Sequence, residues 1–238
     1  MLGMSGIACQ CRLFASRRVV VACRSGIFLV VFGANLVPVA LSAQTSPPVS
    51  AIVGVTGHAY SPPPNVPGVT AWLPVTQIYQ EPNLCVDASA AMVLTYFGTP
   101  HSQRELKVWS RGQEFDPRQP FNDFTDTRLK DLVDGLARHG IHWRIGRWPN
   151  DAAGLSQGLA AIKQQIDQGN PVLVSTNLYA GHVFVVAGYD STRNIMVAVD
   201  PNILPPGIRE LSPDDFAAIW NGSRSGHPDQ RAATFTSR

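Results

Sequence analysis

Cys85 is the residue of this chain whose type and position most favour chemistry. The other three cysteines lie within the first 43 residues, and Cys85 begins a helix-forming stretch that ends before Gly98. A thiol without a partner in an exported chain needs a role other than a disulfide. The thiolate is a strong nucleophile, and the free N–H groups and partial positive charge of a helix N-terminus stabilise it. The sequence therefore predicts Cys85 as the nucleophile of a covalent mechanism.

His182 is the favoured partner for this thiol among the six histidines of the chain. It follows Gly181 and opens a run to residue 190 that is almost wholly apolar, so a buried strand would hold its ring in place. The other histidines lie in a Pro-rich stretch, beside helices and turns, or in a polar tail: His58, His101, His139, His142 and His227. The alternative role for His182 is a core histidine that is hydrogen-bonded to the backbone.

Asp200 is the acid best placed to orient that imidazole. It ends a strand-like run that follows a polar turn at residues 191–194. With the turn centred near residue 191, a regular antiparallel hairpin places Asp200 opposite His182. A carboxylate there would fix the ring and stabilise its charged form. The alternative is that Asp200 and Pro201 only begin a turn, and both roles are compatible.

Two glutamines before the nucleophile are candidates for stabilising a developing oxyanion. A side-chain amide of Gln80 or Gln77, together with the Cys85 backbone N–H, would donate to a tetrahedral intermediate. Gln80 is nearer in sequence and is the preferred donor. Asp87 is the main objection to catalysis, because a carboxylate close to the sulfur would oppose formation of the thiolate.

The elements that must position these residues follow from periodicity and from helix caps. The pattern predicts, in chain order, a strand at 69–80, a helix at 85–97, a short helix capped by Ser102, a helix at 124–139, a strand at 141–148, a helix at 155–168, strands at 171–177, 182–190 and 194–200, and a helix capped by Ser212. Helices come first and an antiparallel sheet follows. The predicted fold class is therefore α+β.

Composition divides the chain into four parts. Residues 1–43 combine four arginines, an apolar run at 26–41 and a small-residue site before Gln44, which predicts a cleaved signal peptide and a secreted or periplasmic protein. Export by the general route and export by the twin-arginine route both remain open. Residues 44–68 predict a Pro-rich linker, residues 69–222 the folded domain, and residues 223–238 a flexible polar tail.

Charge and motifs exclude several classes of partner. The formal charge is +2, and it becomes −2 once the four arginines of the leader are removed. The remainder has no basic run typical of nucleic-acid binding, and no stable membrane insertion is expected after signal cleavage. There is no metal-ligand spacing and no phosphate-binding loop, so no cofactor is expected.

Five blocks of the sequence resemble the papain-like cysteine peptidases, and most of all the branch with the leader-cleaving peptidases of bacteriocin exporters and similar secreted single-domain proteins. They begin at residues 80, 162, 181, 197 and 212, and they carry the candidate residues in the order Gln, Cys, His, Asp. The resemblance implies a papain-like fold with the nucleophile helix in an N-terminal helical part and the His and Asp on a C-terminal antiparallel sheet. It also implies Cys85 as nucleophile, His182 as general base and acid, Asp200 as orienting acid, Gln80 as oxyanion donor, and a peptide or protein as substrate.

The chain departs from this branch in two places. Val86 and Asp87 follow the nucleophile where the branch usually has Gly or Trp, and Gln80 stands five residues before Cys85 rather than six. A thiol peptidase is the expected function. The alternatives are a transferase of the transglutaminase or phytochelatin-synthase type with the same triad, a hydrolase of cell-wall peptides, and a non-catalytic peptide-binding module with Cys85 as a packing residue.

Overall fold

The candidate residues lie in the larger of two units of the chain, Val49–Arg238. The computed structural model describes residues 20–22, 28–32, 35–39, 53–58, 60–221 and 230–237. The smaller unit, Met1–Pro48, contains an antiparallel sheet of β1 (Val20–Ala22), β2 (Phe28–Phe32) and β3 (Asn35–Val39). Much of the predicted signal peptide lies outside the described residues. Within the described ranges, no helix has the length and apolar character needed to cross a membrane.

The larger unit is built on one antiparallel sheet. Its strands are β4 (Thr70–Trp72), β5 (Arg144–Pro149), β6 (Val172–Thr176), β7 (His182–Asp190), β8 (Ile195–Val199), β9 (Ile208–Leu211) and β10 (Gln230–Phe235). Six of them follow the order β5-β10-β6-β7-β8-β9, and β4 pairs with the far end of β7. Every residue of β7 is buried, as expected of a central strand.

Five helices accompany this sheet. They are α1 (Cys85–Tyr96), α2 (Gln103–Ser110), α3 (Leu129–Arg138), α4 (Ala152–Asp167) and α5 (Pro213–Ile219). The α+β class is confirmed, and α1, which begins at Cys85, precedes every strand of this sheet except β4. Both predicted helix caps are present, since Ser102 accepts from the Glu105 N–H at 3.1 Å and Ser212 and Asp215 bond reciprocally.

Two element boundaries differ from the predictions for clear reasons. The strand predicted at 69–80 ends after Trp72, because Pro74 has no N–H to continue the pairing that Leu73 makes with the Ala187 carbonyl at 2.8 Å. The helix predicted from residue 124 begins only at Leu129. Thr125, which precedes it, is engaged differently, because its carbonyl accepts a hydrogen bond from the Lys107 ammonium group.

Helix α1 is buried along most of its length rather than on a single face. Residues 86–94 are all buried, and three of them are alanines that allow close packing. Gly98 has φ of +83° and ends the helix, with its N–H bonded to the Thr95 carbonyl at 3.0 Å. The helix is therefore a rigid base for Cys85, its first residue.

The predicted flexible tail is wrong for residues 230–237. Strand β10 lies between β5 and β6 and pairs with both, and Ala232 and Ala233 are almost completely buried. The Trp220 indole N–H also donates to the Ala232 carbonyl at 3.0 Å. Residues 223–229 are polar, and their composition gave no indication of the strand that follows them. The pairing partners of β10, which are β5 and β6, lie far away in sequence. The domain therefore extends beyond residue 222.

The predicted linker at 44–68 is also wrong for the part that the structure describes. Tyr60 packs on Trp72 with ring centroids 5.0 Å apart, and the Val66 N–H donates to the Thr70 carbonyl at 2.8 Å. Val55 forms a bridge with Arg209 on β9. Residues 53–58 and 60–68 therefore lie on the domain, although many of their side chains are exposed.

Candidate active site

Cys85 and His182 meet where the start of α1 approaches the start of β7. The Cys85 side chain lies close enough to the His182 imidazole to raise the pKa of that ring. The Nε2 atom of His182 is already engaged, because it donates to Asp200 Oδ1 at 2.7 Å. The Nδ1 atom is therefore the ring nitrogen that faces the sulfur. His182 is 3% exposed, whereas Cys85 is partly exposed, and both line an open cleft.

Asp200 is a fully buried acceptor for three donors. Its Oδ1 accepts from His182 and from the Asn202 N–H at 2.7 Å, and its Oδ2 accepts from Arg209 Nε at 2.5 Å. Burial opposes ionisation of the carboxyl, but the hydrogen bond to His182 and the charges of His182 and Arg209 lower its pKa. Asp200 is thus held as a carboxylate.

The His182–Asp200 pair forms in a different strand register from the one predicted. Val185 pairs with Val199, so continuing that register places Asp200 opposite Phe184. The turn is centred between residues 192 and 193, and an irregularity between Val186 and Gly188 moves the register by one residue. His182 lies two residues from Phe184, on the same face of the strand, so the side chains still meet diagonally.

The charge of His182 is set by two opposed effects. Burial disfavours the imidazolium, but the hydrogen bonds to Asp200 and Cys85 outweigh it and raise the His182 pKa to about 9. The ring is therefore protonated at neutral pH. An imidazolium beside the sulfur stabilises the thiolate, which is the nucleophilic form of cysteine.

The two glutamines have different positions. Gln77 Nε2 donates to the carbonyls of Asp200 and Ile203 at 2.7 and 2.8 Å, so its amide holds the loop after β8. Gln80 lines a recess together with Cys85 and His182. Among the described residues, the buried Gln80 Oε1 has no hydrogen-bond partner. Gln80 therefore lies at the recess beside Cys85, whereas the Gln77 amide is engaged by two loop carbonyls.

Cys85 and His182 line two recesses. The larger, about 850 Å³, is also lined by Arg111, Thr127, Arg128 and Ser175. The smaller, about 330 Å³, is also lined by Gln80, Asn83, Tyr179 and Asn202. No group of three or more His, Cys, Asp or Glu suited to a metal ion occurs among the described residues.

A family model described as the Peptidase_C39 like family matches residues 72–226. The chain belongs to this family. It is a cysteine peptidase of the papain-like group, as the sequence blocks predicted. The match includes Cys85, His182, Asp200 and both glutamines, but it begins after the described residues 53–58.

Solved structures similar to this Peptidase_C39-like chain are distant in sequence. One is a double-glycine-motif protease of an AMS/PCAT transporter in complex with its leader peptide, with 15% identity, a TM-score of 0.46 and coverage of 70% of this chain and 95% of that one. A second is the peptidase domain of Streptococcus ComA, with 16% identity, a TM-score of 0.44 and coverage of 69% of this chain and 99% of that one. A third is xylellain, a cysteine protease from Xylella fastidiosa. It has 13% identity, a TM-score of 0.41 and coverage of 76% of this chain and 91% of that one. No curated protein matches the chain.

Asp87 of this peptidase is directed to a buried polar cluster between α1 and α2. Its Oδ2 accepts from Thr127 Oγ1 at 2.8 Å, and Thr127 also accepts from Lys107 Nζ at 3.0 Å. Burial raises the Asp87 pKa to about 7, against the lowering effects of the Thr127 hydrogen bond and the Lys107 charge. The negative charge of Asp87 is thus reduced by partial protonation and balanced by a buried lysine, which weakens the objection to a thiolate at Cys85.

Sequence reasoning missed two residues that contact the His182–Asp200 pair. Arg209 bonds to Asp200, as described above, and its Nη2 donates to the Tyr179 hydroxyl at 2.9 Å. The Tyr179 ring lies edge-on to His182, with centroids 5.3 Å apart. Tyr179 and Ala180 both have left-handed backbones, with φ of 51° and 62°, which is unusual for residues with side chains. The sequence offered one signal for Arg209, which is that it is a single arginine within the short strand-like stretch Ile208–Leu211.

Proposed function

We propose that the chain hydrolyses peptide bonds through Cys85, His182 and Asp200, with Gln80 as an oxyanion donor. The observation that carries the proposal is the placing of Cys85 beside His182 at an open cleft, with His182 hydrogen-bonded to the buried Asp200 at 2.7 Å. The family supports the peptidase class. The shifted ionisation of His182 agrees with a functional site, since such shifts cluster where catalysis occurs.

The geometry supports an acyl-transfer sequence of two steps. The Cys85 thiolate attacks the carbonyl carbon, and the oxyanion accepts from the Cys85 N–H and the Gln80 amide. Collapse of this intermediate breaks the carbon–nitrogen bond, and His182 Nδ1–H protonates the leaving amine. Water then attacks the thioester, gives a proton to His182, and releases the acid product and Cys85. Asp200 keeps the imidazole in place and stabilises its charged form.

Cleavage and alkylation assays test this proposal. We expect the wild type to cleave members of a mixed peptide library, and Cys85→Ala and His182→Ala to be inactive, with products identified by mass spectrometry. Iodoacetamide should alkylate wild-type Cys85 at pH 6 much faster than a free thiol, and His182→Ala should remove that excess. Slow alkylation that is insensitive to His182 would refute the triad. Products joined to an added amine would identify a transferase instead.

We also propose that residues 1–43 direct export and are removed. The support is the order of arginines, apolar run and small residues before Gln44. The test is expression of the full chain in a bacterial host, followed by N-terminal sequencing of the protein from the periplasm and the medium. Gln44 at the N-terminus of an extracytoplasmic form is the expected result. An intact chain found only in the cytoplasm would contradict it.

A further inference from the structure

A short segment before the family domain extends the sheet at β9. This upstream segment, residues 53–56, bridges Val55 to Arg209, and the Glu210 N–H donates to the Gly54 carbonyl at 2.8 Å. The fit at Gly54 is close. A Cβ at this position would lie 2.5 Å from the Glu210 carbonyl oxygen and 2.7 Å from Leu211 Cδ2. The segment is thus held by backbone pairing and by a contact that leaves no room for a side chain.

Arg209 connects this upstream segment to the catalytic acid. The arginine is completely buried, and each of its three nitrogens donates to a different partner. Nε bonds to Asp200 Oδ2 at 2.5 Å, Nη2 bonds to the Tyr179 hydroxyl at 2.9 Å, and Nη1 bonds to the Val53 carbonyl. Because the guanidinium is planar and rigid, fixing one nitrogen restricts the positions of the other two.

We propose that the upstream segment is a positioning element for Asp200 and Tyr179, and that Arg209 is the positioning residue through which it acts. Docking of Val53 fixes the plane of the guanidinium. The guanidinium then holds the Asp200 carboxylate toward His182 and holds the Tyr179 ring against the other side of the imidazole. This inference rests on the proposed function, because it assigns a role relative to a catalytic His182.

The consequence is a defect in turnover when the segment is displaced. The Val53 carbonyl would be replaced by water, and the guanidinium could tilt without losing its charge. Asp200 would then orient His182 less well, although the cleft lining at Arg111 and Arg128 is unchanged. Loss of orientation lowers kcat more than it raises KM, because the affected contacts matter most in the transition state.

Two glycines of this region provide a matched test in the full chain. Gly54 and Gly57 have almost the same φ, +69° and +70°, but a Cβ at Gly57 meets no atom within 4 Å. Both alanine variants therefore carry the same backbone penalty, and only Gly54→Ala displaces the segment from β9. We expect Gly54→Ala to lower kcat and the alkylation rate of Cys85 at pH 6 by about tenfold. Gly57→Ala should stay within about twofold of the wild type.

Arginine variants supply a readout that loss of structure alone would not give. Charged or titratable groups facing Asp200 are His182 on β7 and Arg209 on β9, with Cys85 on α1 beyond the imidazole. Arg209→Met removes one of the charges that, with His182, lower the Asp200 pKa, so the acid limb of kcat/KM should move to higher pH. Arg209→Lys keeps a positive charge but cannot donate to all three partners of the guanidinium. It should therefore lower kcat, with a smaller shift of the acid limb of kcat/KM than in Arg209→Met.

The outcomes separate this inference from the proposed function. If wild-type Cys85 shows alkylation accelerated by His182 but Gly54→Ala matches the wild type, the positioning role is overturned and the triad stands. Equal losses in Gly54→Ala and Gly57→Ala also overturn the role, since the cause would then be backbone strain. If wild-type Cys85 shows no dependence on His182, the triad and the positioning role fall together. Thermal unfolding of each variant checks that it is folded at the assay temperature.

Discussion

The balance of charges around His182 is the residue-scale feature on which the proposed chemistry depends. Burial disfavours the imidazolium, and Asp200 supplies the hydrogen bond that outweighs this penalty. Asp200 in turn is kept ionised by the hydrogen bond and charge of His182 and by the charge of Arg209, whose Nε donates to its other oxygen. The imidazolium is therefore stabilised by an alternation of opposite charges that runs from His182 through Asp200 to the Arg209 guanidinium.

The pH profile should report the ionisation of His182. Since its pKa is about 9, wild-type kcat/KM should fall as pH rises through about 9, where the imidazolium loses its proton. Asp200→Asn removes the interaction that raises this pKa, so the limb should move to lower pH and kcat should fall by about 10². The measurement is a series of kcat/KM values over pH. Each value is divided by the fraction of active sites found by titration, because Asp200→Asn also removes the counterion of Arg209. If the fall of kcat/KM at high pH stays at the same pH in Asp200→Asn, a group other than His182 controls it.

The two glutamines should separate catalysis from stability. Gln80→Ala removes the amide at the recess beside Cys85, so kcat should fall by about 10²–10³ with little change in unfolding free energy. Gln77→Ala removes two hydrogen bonds to loop carbonyls, so it should cost about 1–3 kcal/mol of stability. Steady-state kinetics and urea unfolding measure both effects. A larger loss of kcat in Gln77→Ala would reverse the assignment of the oxyanion donor.

At the scale of elements, α1 is attached to its neighbours by polar as well as apolar contacts. Asp87 and Lys107 are both completely buried, on α1 and α2, and Thr127 bridges them just before α3. Ser89 Oγ also donates to the Val183 carbonyl of β7 at 3.1 Å. These contacts fix the helix beside the strand that carries His182, which is how a helix and a distant strand can keep a sulfur and an imidazole in contact.

Lys107→Met should destabilise the protein more at high pH. The Asp87 pKa is raised in the folded state, so the cost of ionising this carboxyl appears as pH rises from about 4 to about 7. Without Lys107 that pKa rises further, and we expect a loss of about 3 kcal/mol at pH 8 and a much smaller loss at pH 5. Urea unfolding at both pH values measures it. Lys130→Met is the control, because Lys130 is 72% exposed and should change stability by less than about 1 kcal/mol.

At the scale of the whole molecule, the sheet is completed from the end of the sequence. β10 separates β5 from β6, so without it these strands would have no common neighbour. Trp220 links the same strand to α5 and lies against Gly158 of α4, where a Cβ would be 2.5 Å from the indole ring. The upstream segment likewise adds residues from before the family domain. The folded unit is thus larger than the part that carries the family pattern.

A charge placed in β10 should disrupt the sheet. Ala233 has no exposed surface, so Ala233→Asp would bury a carboxylate without a partner and should cost more than about 3 kcal/mol. Gln230→Asp, at the partly exposed start of the strand, is the control and should cost less than about 1 kcal/mol. Thermal and urea unfolding provide the comparison. Equal stability of the two variants would restore the prediction of a flexible tail.

The α+β class, most of the helices with their caps, and the candidates Cys85, His182 and Asp200 were all predictable from the sequence. These depend on local periodicity, on glycine and proline signals and on strand alternation, all of which act over a few residues. The same-face relation of His182 and Asp200 was predictable because side chains on a strand repeat every two residues, so an error of two in register left it intact.

The tertiary structure alone showed the central place of β10, the partners of Asp87, the different surroundings of Gln80 and Gln77, and the contacts of Arg209. Each depends on partners distant in sequence: Asp200 and Ile203 for Gln77, Lys107 for Asp87, and strands β5 and β6 for β10. Local propensity carries no information about such partners. Burial and hydrogen bonding across the fold select them, and they determine which polar residues surround the sulfur.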